Sequence, residues 1–104
     1  MNQPASVNRT WSSGPLYKHL VAVLPAFVDN PFSDDPVLNV QKLREATGRS
    51  HEGVYKWLRA SRLTAAGAKK LVTVANSAEN RRALTALNRE IPTIDSFARF
   101  VFAD

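Results

Sequence analysis

Gly48 sits between two short stretches that each carry their own helix start, and no other feature restricts the fold of this chain as tightly. In Val40–Arg59, VQKLREATGRSHEGVYKWLR, Asn39 precedes the first stretch and Ser50 the second. Both residue types accept a backbone N–H at a helix N-terminus. Val40, Leu43 and Thr47, with Ala46 flanking, share one side of the first helix, and Val54, Trp57 and Leu58 one side of the second. A glycine between them supplies the positive φ of a tight turn. Two helices joined so closely form a helix-turn-helix, which presents the outer face of its second helix.

The same grammar of caps and apolar stripes runs through the chain. Gly14-Pro15 opens a helix whose Leu16, Leu20, Leu24, Phe27 and Val28 lie together, with Tyr17 and Val21 beside them. Pro25 must kink that helix or split it, because it removes a donor and crowds the preceding turn. Asp29–Pro36, DNPFSDDP, is turn chemistry. Thr64 caps a helix with Ala68, Leu71, Val72 and Ala75 inward, and Asn76 or Ser77 opens another with Leu84 and Leu87 inward. Thr93 begins a last segment with Ile94, Phe97, Ala98 and Val101 on one stripe. No strand alternation competes, so the expected fold is all-α, a compact bundle of five to six short helices. Residues 1–13 lack periodicity and read as a flexible arm ahead of a domain spanning 14–104.

Composition excludes several functions. The chain has no cysteine, so disulfides, thiolate metal sites and thiol catalysis are out of reach. His19 and His51 lack a ligand spacing and are expected at the surface; Asp34 and Asp35 have no third carboxylate and read as capping or solvated residues. No metal and no cofactor is therefore expected. Serines such as Ser12 and Ser33 have no nucleophile-elbow context, and the four glycines form no phosphate loop, so catalysis is not expected either. The apolar run Leu20–Val28 is too short to span a bilayer, and residues 1–14 contain no apolar signal run. A cytoplasmic protein is expected.

The net charge is +5, and it is unevenly placed: Lys42–Arg82 holds ten basic residues against three acidic ones. Positive charge concentrated on the segment carrying the motif is the footprint expected for a polyanion partner.

Val40–Arg59 resembles the helix-turn-helix of the phage Cro and lambda-repressor-like DNA-binding domains, found in phage and bacterial regulators. With Gly48 as the family's turn glycine, Leu43, Val54 and Trp57 match positions that pack the two helices. Ser50 matches the recognition-helix cap, and GVYKWLR is typical of that helix's body. The resemblance runs on through the helix containing GAKKLVTVAN. Departures are Arg44, where the family has a small residue, Thr47 and Arg49 in place of apolar residues around the glycine, and Gln41, one residue beyond a phosphate-binding glutamine. They bear on the crossing angle and the register.

The resemblance implies double-stranded DNA as partner and Ser50, His51, Glu52, Tyr55 and Lys56 as base contacts. Arginine or lysine donates to guanine, glutamate accepts from cytosine N4, and serine or histidine serves either way. Gln41, Lys42, Arg49, Arg59 and Arg62 are the expected phosphate contacts, which position without specifying. Glu52 has a second reading as an acid offsetting the helix dipole. Phe100, pointing away from the last stripe, and Phe102 read either as an apolar partner surface or as core contacts. A homodimer through the C-terminal helices is expected, because one recognition helix buries little and two half-sites give better selectivity. Arg9 and Trp11 would let the arm reach a duplex. The function implied is a transcriptional repressor. The alternative is a helix-turn-helix adapter or antitoxin that acts through a protein partner.

Overall fold

Pro25 decides how the chain begins to fold. A computed structural model describes residues 14–101. Helix α1 (Pro15–Val23) stops two residues before the proline, and Pro25–Phe27 forms a single 3-10 turn. The helix is split rather than kinked. The break leaves the Val23 carbonyl and the Ala26 amide without helical partners, and one buried side chain meets both. Asn80 Oδ1 accepts from the Ala26 N–H at 3.1 Å, while its Nδ2 donates to Val23 O and Ala75 O, each at 2.9 Å. Asn80 has no solvent exposure. The 3.6-residue pattern had marked only Leu84 and Leu87 as inward on its helix; Leu87 is half-buried and Asn80 is the deeper anchor.

After the 3-10 turn, β1 (Val28–Asp29) pairs antiparallel with β2 (Val37–Leu38) and closes the expected loop. Among the described residues this two-residue ladder is the only sheet in an otherwise all-α fold. The Tyr17 hydroxyl accepts from the Leu38 N–H at 3.1 Å, tying the ladder to α1.

Four helices follow: α2 (Val40–Thr47), α3 (His51–Ala60), α4 (Ala65–Ala75) and α5 (Ala78–Ala86). Each starts at a side-chain cap. Asn39 accepts from Lys42 N, Ser50 from Gly53 N, Thr64 from Gly67 N and Ser77 from Asn80 N. Helix α1 has glycine at its own cap position and takes a hydroxyl from elsewhere. Ser61, in the left-handed conformation that ends α3, accepts from Leu16 N at 3.3 Å. A Cβ on Gly14 would stand 2.8 Å from that hydroxyl, so glycine permits the approach.

Leu16, Leu20 and Leu24 of the first segment meet Leu43, Val54, Leu58, Leu71 and Phe97 in the core, all without exposure. Burying a leucine side chain fully is worth roughly 1.5–3 kcal/mol, and this cluster draws on every long helix except α5. On α4, Val74 is buried alongside Leu71 and Ala75, while Val72 is only half-buried.

The C-terminal expectation is corrected. Helix α6 (Ile94–Phe97) is one turn long and continues as a 3-10 turn, Ala98–Phe100. Three residues per turn bring Phe97 and Phe100 onto the same inward side, and both are buried. Phe100 is thus a core residue, not a partner surface, whereas Ile94, expected inward, is 45% exposed and Ala98 is exposed too. Leu63 N donates to Phe100 O at 2.7 Å, and Leu63 bridges Val101 in parallel, anchoring this end beside the residues that follow α3.

His19, expected at the surface, is half-buried, edge-on to Phe97 (5.0 Å between centroids) and tilted on Phe100 (5.4 Å). The expected arm with Arg9 and Trp11, and Phe102, lie outside the described residues. Among the described residues no helix is long and apolar enough to cross a membrane, and no three His, Asp or Glu cluster as metal ligands.

Asn80→Ala removes the partner of one buried and two part-buried backbone groups and is expected to cost about 1–3 kcal/mol or more, at roughly 1–3 kcal/mol per buried orphaned group, read from urea denaturation. Burial first, and the Arg99 charge second, hold His19 below the ordinary histidine value of 6.5. The unfolded chain therefore takes up the proton first, and stability falls as pH drops from 6.5 through the lower folded value. Thermal melts between pH 7.5 and 5 are expected to show this decline (about those limits bracket the histidine range), and His19→Gln is expected to lessen it.

Candidate nucleic-acid interface

The geometry of the α2–α3 pair begins at Gly48, whose φ of 73° turns the chain between the helices. Thr47, a polar residue on the buried side, is accommodated because its hydroxyl donates back to Leu43 O at 2.9 Å. The last carbonyl of α2 is met from α4, where Lys70 Nζ donates to Thr47 O at 2.9 Å. A cation at a helix C-terminus also offsets the dipole there. Nothing local in the sequence pointed to Lys70.

Trp57 fixes α3. Its indole is buried, and Arg49 lays its guanidinium over the ring at 4.4 Å. The ring also rests on Gly67 of α4, where an added Cβ would stand 2.8 Å from Cζ2. The glycine lies in the first turn of α4 and is not at positive φ, so close approach is its role, not backbone freedom. The sequence pattern did not single it out.

With Val54, Trp57 and Leu58 inward, Ser50, His51, Glu52, Lys56 and Arg59 stand exposed on the outer side of α3. Ser50 Oγ accepts from Gly53 N at 3.0 Å, which leaves its hydroxyl proton for an outside acceptor. Tyr55 is half-buried, leaning on the core, with its ring stacked near His51 at 6.4 Å and 20°. Glu52 and Arg59, seven residues apart, form an ion pair of 2.8 Å along this face.

The expected phosphate residues separate. Arg49, Arg62 and the expected base contact Lys56 line one cleft of about 360 Å³, with Trp57 and Thr64 completing its wall. No acid lines it. Arg49 Nε is buried without a hydrogen-bond partner, while the stack on Trp57 holds the guanidinium plane. Gln41 is exposed but donates to Glu45 at 2.8 Å. Lys42 is not brought to this group. Its ammonium donates to Ala26 O at 2.8 Å, pairs with Glu79 at 2.9 Å and lies 5.2 Å from the Phe27 ring centroid. In this position it ties α2 to the 3-10 turn and α5, with its side chain 40% exposed. A second cleft, about 260 Å³, holds Lys69 and Lys70 beside the end of α2. Arg81 and Arg82 are exposed on α5 and line a separate hollow with Thr85.

Gly67→Ala gives a signed test. Helix propensity alone predicts stabilisation of up to about 1 kcal/mol. The contact with Trp57 predicts the reverse, a loss of about 1–3 kcal/mol from overpacking, with a weakened near-UV tryptophan circular dichroism signal. Thermal denaturation of the variant decides between them.

Comparison of the chain with protein-family models, curated proteins and solved structures returns no match in any of the three.

Proposed function

We propose that this protein is a sequence-specific DNA-binding regulator that inserts α3 into the major groove, in the manner of phage-type repressors. The observation that carries the reading is the outer side of α3. Except for Ala60 at its last position, its exposed residues are hydrogen-bonding or charged, and they stand beside a cleft whose only charged residues are Arg49, Lys56 and Arg62. Base edges in the major groove offer acceptors and donors matched to such a row, and phosphates flanking the groove match the cleft. Lys56 belongs to both and would sit where base readout passes into backbone contact.

Regulation would follow by occlusion of a promoter. Selectivity requires two half-sites about 34 Å apart, so we assign the working form as a homodimer. Its contact would lie on the groove of about 280 Å³ between α4 and the C-terminal segment, where Ile94, Ala65, Ala98 and Val101 are flanked by Lys69 and Asp95. Opposite charges beside one apolar strip suit a two-fold contact in which each copy's Lys69 meets the other's Asp95. The adapter reading has less to draw on, because Phe100, one of the two aromatics expected to offer a partner surface, lies in the core.

Selection from random duplexes is expected to return a palindromic site. Affinity for it is expected to fall roughly 10³-fold or more between 50 and 200 mM salt if about six to ten phosphates are neutralised. Lys56→Ala is expected to weaken binding while thermal melts stay unchanged. No enriched site, together with salt-insensitive binding, overturns the reading. Ile94→Asp is expected to give monomers in sedimentation, and a wild-type chain that stays monomeric on DNA rules out the dimer.

A further inference from the structure

Glu52 is the one acid on a face that otherwise presents Ser50, His51, Tyr55, Lys56 and Arg59. Its side chain is 75% exposed, and it reaches two turns along the helix to Arg59, itself 45% exposed, at 2.8 Å. The fold does not need this pair. Exposed ion pairs contribute little to stability, and an acid in the first turn offsets the helix dipole with or without a distant arginine.

What the pair does is set the charge of the face before any duplex arrives. It neutralises Arg59 and keeps a carboxylate where phosphates would approach. A duplex carries one negative charge per about 1.7 Å of axis. Like charges at contact distance repel, and more strongly at a protein surface than in bulk water. Any duplex therefore meets repulsion from Glu52 and an Arg59 already engaged. The balance changes only where a base edge offers the carboxylate a donor, as the cytosine N4 amino group does in the major groove. Glu52 can then accept from the base, and Arg59 is released to a phosphate or a guanine.

On the DNA-binding reading proposed above, we infer that Glu52 is a specificity-determining residue that acts chiefly by exclusion, holding Arg59 back from duplexes that lack a donor for its carboxylate. It lowers affinity for all DNA and lowers it least for the right sequence.

The test compares wild-type protein with Glu52→Gln, which keeps the shape and removes the charge, on a selected site and on a random-sequence duplex across a salt series. The variant is expected to bind the random duplex about tenfold more tightly, with a log K against log salt slope steeper by about one, and its ratio of specific to non-specific affinity is expected to fall. In an Arg59→Gln background the gain on random DNA is expected to shrink, because no arginine is left to release. Circular dichroism melts confirm that both variants fold. A variant that binds random DNA no better than wild type, or one that keeps the wild-type ratio, overturns the inference while leaving DNA binding intact. Absence of duplex binding by wild type and Glu52→Gln alike overturns the DNA reading and this inference together.

Discussion

The seat of Trp57 is the contact on which the rest of the arrangement depends. One indole touches the core below, Gly67 of α4 and the guanidinium of Arg49. A large aromatic contributes both buried area and orientation, so this contact sets the rotation of α3 about its own axis. That rotation decides which residues face outward. Turning the helix by one position would bury Lys56 and expose Leu58, which the core would not tolerate. The stack does a second job, because it places Arg49 at the wall of a cleft shared with Lys56 and Arg62. Core packing and surface chemistry are coupled through a single ring.

The other constraint is polar. Splitting a helix at Pro25 leaves backbone groups that must find partners once buried. Asn80 meets them from α5, and Ser61 meets the start of α1 from the end of α3. Lys42 and Lys70 add charged donors to carbonyls at Ala26 and Thr47. Four side chains from four different places thus hold the ends and breaks of short helices. Helices of eight to eleven residues are too short to stand alone in water, so these ties and the leucine core keep the α2–α3 angle rigid. Preorganisation of that kind lowers the ordering cost of any contact made on that surface.

Charge is distributed to match. Lys42 and Lys70 serve the fold, whereas Lys56 and Arg59 stay at the outer surface of α3. A net charge of +5 is therefore not one undifferentiated attraction. Part is consumed internally, part lines clefts beside the helix-turn-helix, and part, at Arg59, is held by a carboxylate.

Local rules sufficed for the parts of the fold that depend on neighbours in sequence. Asn39, Ser50, Thr64 and Ser77 each start a helix by bonding an amide three residues ahead. Gly48 turns the chain, and Pro25 interrupts it. The outward row on α3 was equally legible, since Val54, Trp57 and Leu58 define the inward side by spacing alone. Tertiary structure alone decided the remainder, because the partners are far apart along the chain. Asn80 answers a break at Val23–Ala26, Ser61 caps Leu16, Gly67 makes room for Trp57, and Lys42 turns inward to Ala26 and Glu79. Phe100 changed sides because the last helix tightens to three residues per turn over a core already holding Phe97 and His19. Helical periodicity reports which face of a segment is apolar, but the pitch of a short terminal segment and the destination of a long polar side chain follow from what packs against them.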